Sequence, residues 1–147
     1  MQNKSFFQKI ILEFNKRNIR YILIGRQAVV LYGKPVTSFD YDLWVHPDDR
    51  EKVFNILEKK GLSPSSTPEK KKPIVFFVKE FYKIDVFFVR KFGKLSFEEC
   101  YERANIFKEG KFFIRVASPE NLIKLKKMRH PLELKDKEDI NFLKRFL

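Results

Sequence analysis

Three aspartates lie in apolar, β-rich runs of this chain: Asp40 and Asp42 in Phe39-Asp-Tyr-Asp-Leu-Trp-Val45, and Asp85 in Lys83-Ile-Asp-Val-Phe-Phe-Val89. Residues two apart in an extended segment project to the same side, so Asp40 and Asp42 make a paired anionic site. A charge inside such a run costs several kcal/mol unless it is ion-paired, hydrogen-bonded or metal-bound. Two same-side carboxylates joined by a third from a neighbouring strand form a hard-oxygen ligand set suited to Mg2+ or Mn2+. The chemistry such a set serves is phosphoryl or nucleotidyl transfer, where metal clamps the phosphates and a carboxylate helps deprotonate the acceptor hydroxyl. Two plainer readings stand beside it. An isolated Asp-x-Asp also serves as a turn or cap, and Asp85 beside Lys83 also reads as an edge-strand charge.

The surrounding pattern predicts the elements that hold these residues. Phe6, Ile10, Ile11 and Phe14 follow helical spacing after an Asn3 or Ser5 cap. Arg20–Ile24 is a short β-rich run ending at Gly25, and Gln27–Tyr32 is helix-compatible up to the stop at Gly33-Lys-Pro35. After the Asp40–Asp42 strand, Pro47-Asp-Asp-Arg50 opens a helix that Gly61 closes. Ser63–Pro73, rich in turn formers and carrying Lys70, Lys71 and Lys72, reads as one flexible basic loop. Ile74–Val78 and Phe81–Val89 form a hairpin about Lys79-Glu80, and Ser96–Tyr101 a short helix. A second hairpin turns near Glu109-Gly110. Ser118-Pro119-Glu120 starts a terminal helical pair, interrupted near His130-Pro131. The order implies an α/β or α+β fold: one small mixed β-sheet flanked by helices, with C-terminal helices, in a single domain over 1–147.

Composition narrows the partners. The formal net charge of +12 favours polyanions or phosphorylated molecules. Cys100 is the chain's one cysteine, which excludes an internal disulfide and cysteine-based zinc motifs, so it is expected to be a packed helix residue. The first residues lack a signal peptide's apolar stretch and no run is long enough to span a bilayer, so a cytoplasmic protein with no membrane contact is expected. His46 and His130, each before a proline, read as loop or cap residues, and the paired phenylalanines as core or sheet-face residues. Lys126, Lys127 and Arg129 read by themselves as a solvated helix face.

The segment Leu23–Val45, with Gly25 after a strand, a helix, then Asp40-Tyr-Asp42 on the next strand, resembles the signature of the polymerase-beta-type nucleotidyltransferase superfamily. The resemblance is strongest to small bacterial and archaeal members, including those of toxin–antitoxin systems. Thr37 before the aspartates, and Lys126, Arg129, Lys135-Asp136 and Asp139-Ile140 further on, look similar to the same pattern. What it implies is transfer of a nucleoside monophosphate from a nucleoside triphosphate to a hydroxyl, with Asp40, Asp42 and Asp85 as catalytic metal ligands. Gly25, Arg26, Thr37 and Lys126 then face the nucleotide. The implied acceptor is RNA, a protein or a small molecule, and the toxin-type members imply an antitoxin partner. Arg26 departs from the small residue usual after the glycine, and Val36 from the arginine often found before the threonine. Two readings of Arg26 follow: a fork-shaped phosphate donor, or an obstruction that leaves a catalytically silent module binding nucleotide, RNA or a protein.

Overall fold

The computed structural model describes residues 5–38 and 40–147, so Asn3 and Phe39 lie outside the described residues. Helix α1 (Phe6–Lys16) starts at a capping box in which the Ser5 side chain accepts from the Gln8 amide and the Gln8 side-chain oxygen accepts from the Ser5 amide. Strand β1 (Tyr21–Ile24) runs straight into α2 (Gly25–Leu31), and β2 (Asp40–Val45) leads through a 3-10 turn to α3 (Arg50–Lys59). His46 caps that turn, its Nδ1 accepting from the Asp48 amide at 3.1 Å. The turn also carries Asp49, whose buried carboxylate is gripped through both oxygens by Arg20.

Ser63–Pro73 is not one loop. Ser63–Pro64 forms a strand, β3, against β4 (Ile74–Lys79), and Pro68–Lys70 is a 3-10 turn. A proline is tolerated there because β3 lies at the sheet edge, where its missing N–H breaks no ladder. β4 and β5 (Tyr82–Phe87) make the expected hairpin. A small hairpin, β6 (Lys91–Phe92) with β7 (Leu95–Ser96), precedes α4 (Phe97–Arg103), which buries Cys100. β8 (Asn105–Glu109) and β9 (Phe112–Val116) form the last hairpin, followed by α5 (Pro119–Lys127) and α6 (Leu134–Leu143).

The seven-stranded sheet has the order β3-β4-β5-β2-β1-β9-β8 and is mixed, with β2 parallel to β5 and β1 parallel to β9. One face carries Tyr41, Leu43, Phe77 and Ile84 into a core closed by α1 and α3, where Phe7 stacks on Tyr41 and Phe54 packs edge-on against Phe77. The other face carries the aspartates. Helices α5 and α6 are tied to that side by Asp139, which is 1 % exposed and bridges Lys34 from the turn after α2 to Lys126 of α5, the latter at 3.1 Å. Lys126 is thus 7 % exposed, and the solvated-face reading fails for it; Lys127, one step round the helix, stays exposed. Among the described residues no helix is long and apolar enough to cross a membrane.

Burial raises the Asp139 pKa, but the bonds from Lys34 and Lys126 outweigh it and hold the carboxyl below its ordinary value. A depressed carboxyl contributes stability that is present above its unfolded pKa and lost as pH falls through the folded one. Asp139→Asn should therefore destabilise the protein at neutral pH by about 3 kcal/mol, near the low end for a broken buried pair because Lys34 keeps some solvent access. Urea titrations at pH 7 and pH 3 check this: the gap between mutant and wild type should narrow at the lower pH.

Candidate functional site

β2 and β5 run parallel in a register that places Asp42 beside Asp85 and Asp40 beside Lys83. Paired residues of adjacent strands share a face, so Asp40, Asp42 and Asp85 project from the same side of the sheet. Asp85 lies on an interior strand, between β4 and β2, and the edge-strand reading does not hold. Ile24, last in β1, pairs with Asp42 from the other side, which brings Gly25 against that carboxylate. Gly25 has φ +72°, and a Cβ at this position would stand 2.1 Å from Asp42 Oδ2. Only glycine fits both the backbone angle and the space.

The two central carboxylates are short of positive charge. Burial pushes the Asp42 carboxyl up to about 6; Asp85 and Asp40 add to the rise, while Lys126 and Arg129 oppose it. Burial also raises Asp85, against the pull of Lys83. Asp85 Oδ1 is buried and has no hydrogen-bond partner among the described residues, Lys83 Nζ standing 3.6 Å away. Such a site fits a hard divalent cation, which would supply the missing charge and occupy the unbonded oxygen. Asp40 is exposed and lines the same charged recess as the inner pair. Among the described residues no three His, Cys, Asp or Glu side chains are already gathered in a metal-binding cluster.

Two recesses meet at the pair. The charged one, about 210 Å3, adds Arg26, Ser38, Asp40 and Lys135 to Gly25, Asp42 and Asp85. The apolar one, about 440 Å3, lies against Phe87, Phe92 and the inner face of α5. Lys126 and Arg129 border both. Thr37 is exposed and lines neither; its neighbour Ser38 does, its hydroxyl accepting from the Asp40 amide at 3.2 Å. Asp136 and Asp139 also line the charged recess, and Lys34 pairs with Asp139. Asp136 accepts from Arg129 at 3.3 Å with one oxygen and from the Glu133 amide with the other, capping α6. In the sequence Lys34 is marked only as part of a helix stop, because nothing local identifies a lysine whose partner lies 105 residues away.

Because the Asp42 carboxyl binds its proton more tightly in the folded protein, its ionisation costs stability. That cost grows as pH rises from the ordinary 3.8 to about 6 and stays constant above. In metal-free buffer Asp42→Asn should accordingly raise the melting temperature at pH 7.5, by an amount worth up to about 3 kcal/mol, and bring no gain at pH 4. Differential scanning calorimetry at the two pH values measures it.

The chain matches no family profile and no curated protein. Solved structures do resemble it. The lincosamide antibiotic adenylyltransferase LnuA, lincomycin-bound, superposes with a TM-score of 0.73 over 99 % of this chain and 98 % of its own, at 19 % identity. ANT(2'')-Ia in complex with adenylyl-2''-tobramycin gives a TM-score of 0.70 over 95 % of this chain and 86 % of its own, at 15 % identity. An antigenic nucleotidyltransferase-like protein from Paracoccidioides brasiliensis gives 0.69 over 95 % and 73 %, at 16 % identity. With 95 % or more of this chain covered in each comparison, the chain shares the fold of these adenylyltransferase and nucleotidyltransferase-like structures.

Proposed function

We propose that this protein is a divalent-metal-dependent nucleotidyltransferase that moves a nucleoside monophosphate from a nucleoside triphosphate to a hydroxyl of a small molecule. The observation that carries the reading is the half-buried Asp42–Asp85 pair, adjacent in register and closed on one side by Gly25, within a nucleotidyltransferase fold. Asp40, Asp42 and Asp85 would hold Mg2+ or Mn2+, which when bound neutralises phosphate charge and polarises the α-phosphate. The charged recess suits the triphosphate, since Arg26, Lys126, Arg129 and Lys135 supply cations there and Gly25 lets backbone approach closely. Asp85 borders both recesses, so whichever of its two carboxylate oxygens the cation does not engage would stand on the side of the acceptor's hydroxyl and take its proton. In the transfer, the acceptor oxygen bonds to the α-phosphorus, the bond from that phosphorus to the bridging oxygen breaks, and pyrophosphate leaves; the proton passes through Asp85 to water.

Two of the similar structures hold an antibiotic or an adenylylated antibiotic, which supports a small-molecule acceptor over RNA or a protein side chain. A toxin-type role with an antitoxin partner would go with those macromolecular acceptors. Arg26 stands in the second position of α2 among the lining of the charged recess, a placement that favours phosphate binding over obstruction.

Incubation with each α-32P nucleoside triphosphate, Mg2+ or Mn2+, and lincomycin, tobramycin, total RNA or total protein in turn tests the reading. Label should move to a small molecule, and Asp42→Asn should lower transfer at least a hundredfold, the scale of a lost metal or oxyanion contact. Transfer unaffected by chelator or by Asp42→Asn would refute it. Arg26→Ala should weaken nucleotide binding by about 1.5–3 kcal/mol, the value of a charge-assisted hydrogen bond, in a fluorescent-nucleotide titration. Tighter binding by Arg26→Gly would instead identify the side chain as an obstruction.

A further inference from the structure

The larger recess has a composition that the transfer reaction does not require. Its walls are Ile24 and Phe87 from the sheet, Phe92 from the β6–β7 hairpin, and Leu122, Leu125 and Met128 from α5 and the turn after it. Gly93, at φ +56°, turns that hairpin tightly beside the Met128 side chain, so hairpin and helix meet across the recess. The charged groups bordering it are Asp42, Asp85, Lys126 and Arg129. At about 440 Å3 it is the size of a small-molecule pocket. Its apolar floor continues outward: register sets Ile74 beside Phe87 and Phe76 beside Asp85 on the same face, and both β4 side chains are about two-fifths exposed, at 42 % and 41 %.

We infer that this recess is the acceptor subsite, and that it selects an uncharged, hydroxyl-bearing small molecule with an apolar body while rejecting polycations. The inference rests on the transferase reading. There the two carboxylates are engaged with metal and Lys126 and Arg129 are paired with Asp139 and Asp136, so the recess offers an amine-rich ligand no unengaged carboxylate. Apolar side chains then supply the binding free energy, and the hydroxyl is the group brought to Asp85. The triphosphate takes the charged recess on the other side of the same pair, so that donor and acceptor meet across Asp42 and Asp85.

The chain's single tryptophan provides the readout. Trp44 is buried with its ring 4.7 Å from Phe92, at 67°, so a ligand seated on Phe92 alters its emission. Three probes separate the sources of affinity: hexyl β-D-glucoside, glucose without the alkyl body, and spermidine as a polycation. With Mg2+ and a non-hydrolysable nucleoside triphosphate present, hexyl glucoside should give a saturable Trp44 change in the millimolar range, and the other two none. Met128→Glu, at a position 40 % exposed and therefore tolerant of the change, should weaken that binding at least tenfold, as should Leu125→Ala. Fluorescent-nucleotide binding by the same proteins shows that the charged recess persists in each variant. Nucleotide binding with no response to hexyl glucoside, an equal response to glucose or spermidine, or unchanged affinity in both variants would overturn the inference and leave the transferase reading standing. Loss of nucleotide binding in the wild type would sink the transferase reading itself.

Discussion

Two carboxylates held side by side in the half-buried middle of a sheet repel one another, and much of this molecule is arranged around that repulsion. Asp42 and Asp85 are register partners on parallel strands, flanked in sequence by buried Leu43, Ile84 and Val86, so neither can turn away without dragging core residues with it. Side-chain alternation makes the conflict unavoidable: the residues on either side of each aspartate anchor the opposite face against α1 and α3. This geometry leaves the site electrostatically incomplete, and the proposed cation site rests on that incompleteness.

The C-terminal helices belong to that electrostatic arrangement. Lys126 and Arg129 reach the carboxylate pair from α5 and its C-terminal end, yet a cation cannot simply be pressed into a half-buried setting. Each is held by its own acid from α6: Asp139 for Lys126 and Asp136 for Arg129. Asp139 also takes Lys34, and Asp136 also caps α6, so helix placement and side-chain aim depend on the same contacts. These contacts hold the helix pair over the aspartate-bearing face of the sheet. The space beneath it then divides into a charged recess toward Arg26 and Lys135 and an apolar one toward Phe87 and Phe92.

Much of the fold was legible because local rules agreed with one another. Ser5 and Gln8 make a capping box, Ser118 and Pro119 open a helix, and the Lys79-Glu80 break turns a hairpin, with each signal lying within a few residues of its effect. The edge strand Ser63–Pro64 escaped because nothing in its own residues favours extension; it is extended because β4 offers unpaired groups, as when the Ser65 amide donates to the Phe76 carbonyl. The hairpin Lys91–Ser96 escaped for a similar reason. Two paired residues on each side are too few for a periodic signal, although Phe92 on it forms a wall of the apolar recess.

By itself the sequence determined which residues carry the acids, which strands hold them, and that a glycine with a helix behind it precedes them, because β-alternation and helix punctuation act at short range. It also carried enough of a family pattern to indicate the fold. What only the tertiary structure decided is which of those acids meet and what opposes them. The crossing of β2 beside β5 pairs Asp42 with Asp85 rather than with Asp40 alone, Lys126 is buried where its helix pattern read as solvated, and Thr37 lies outside a recess that Ser38 enters. Those outcomes depend on contacts between residues tens of positions apart, and on the dielectric surroundings those contacts create. Neither is a property of any local stretch of chain.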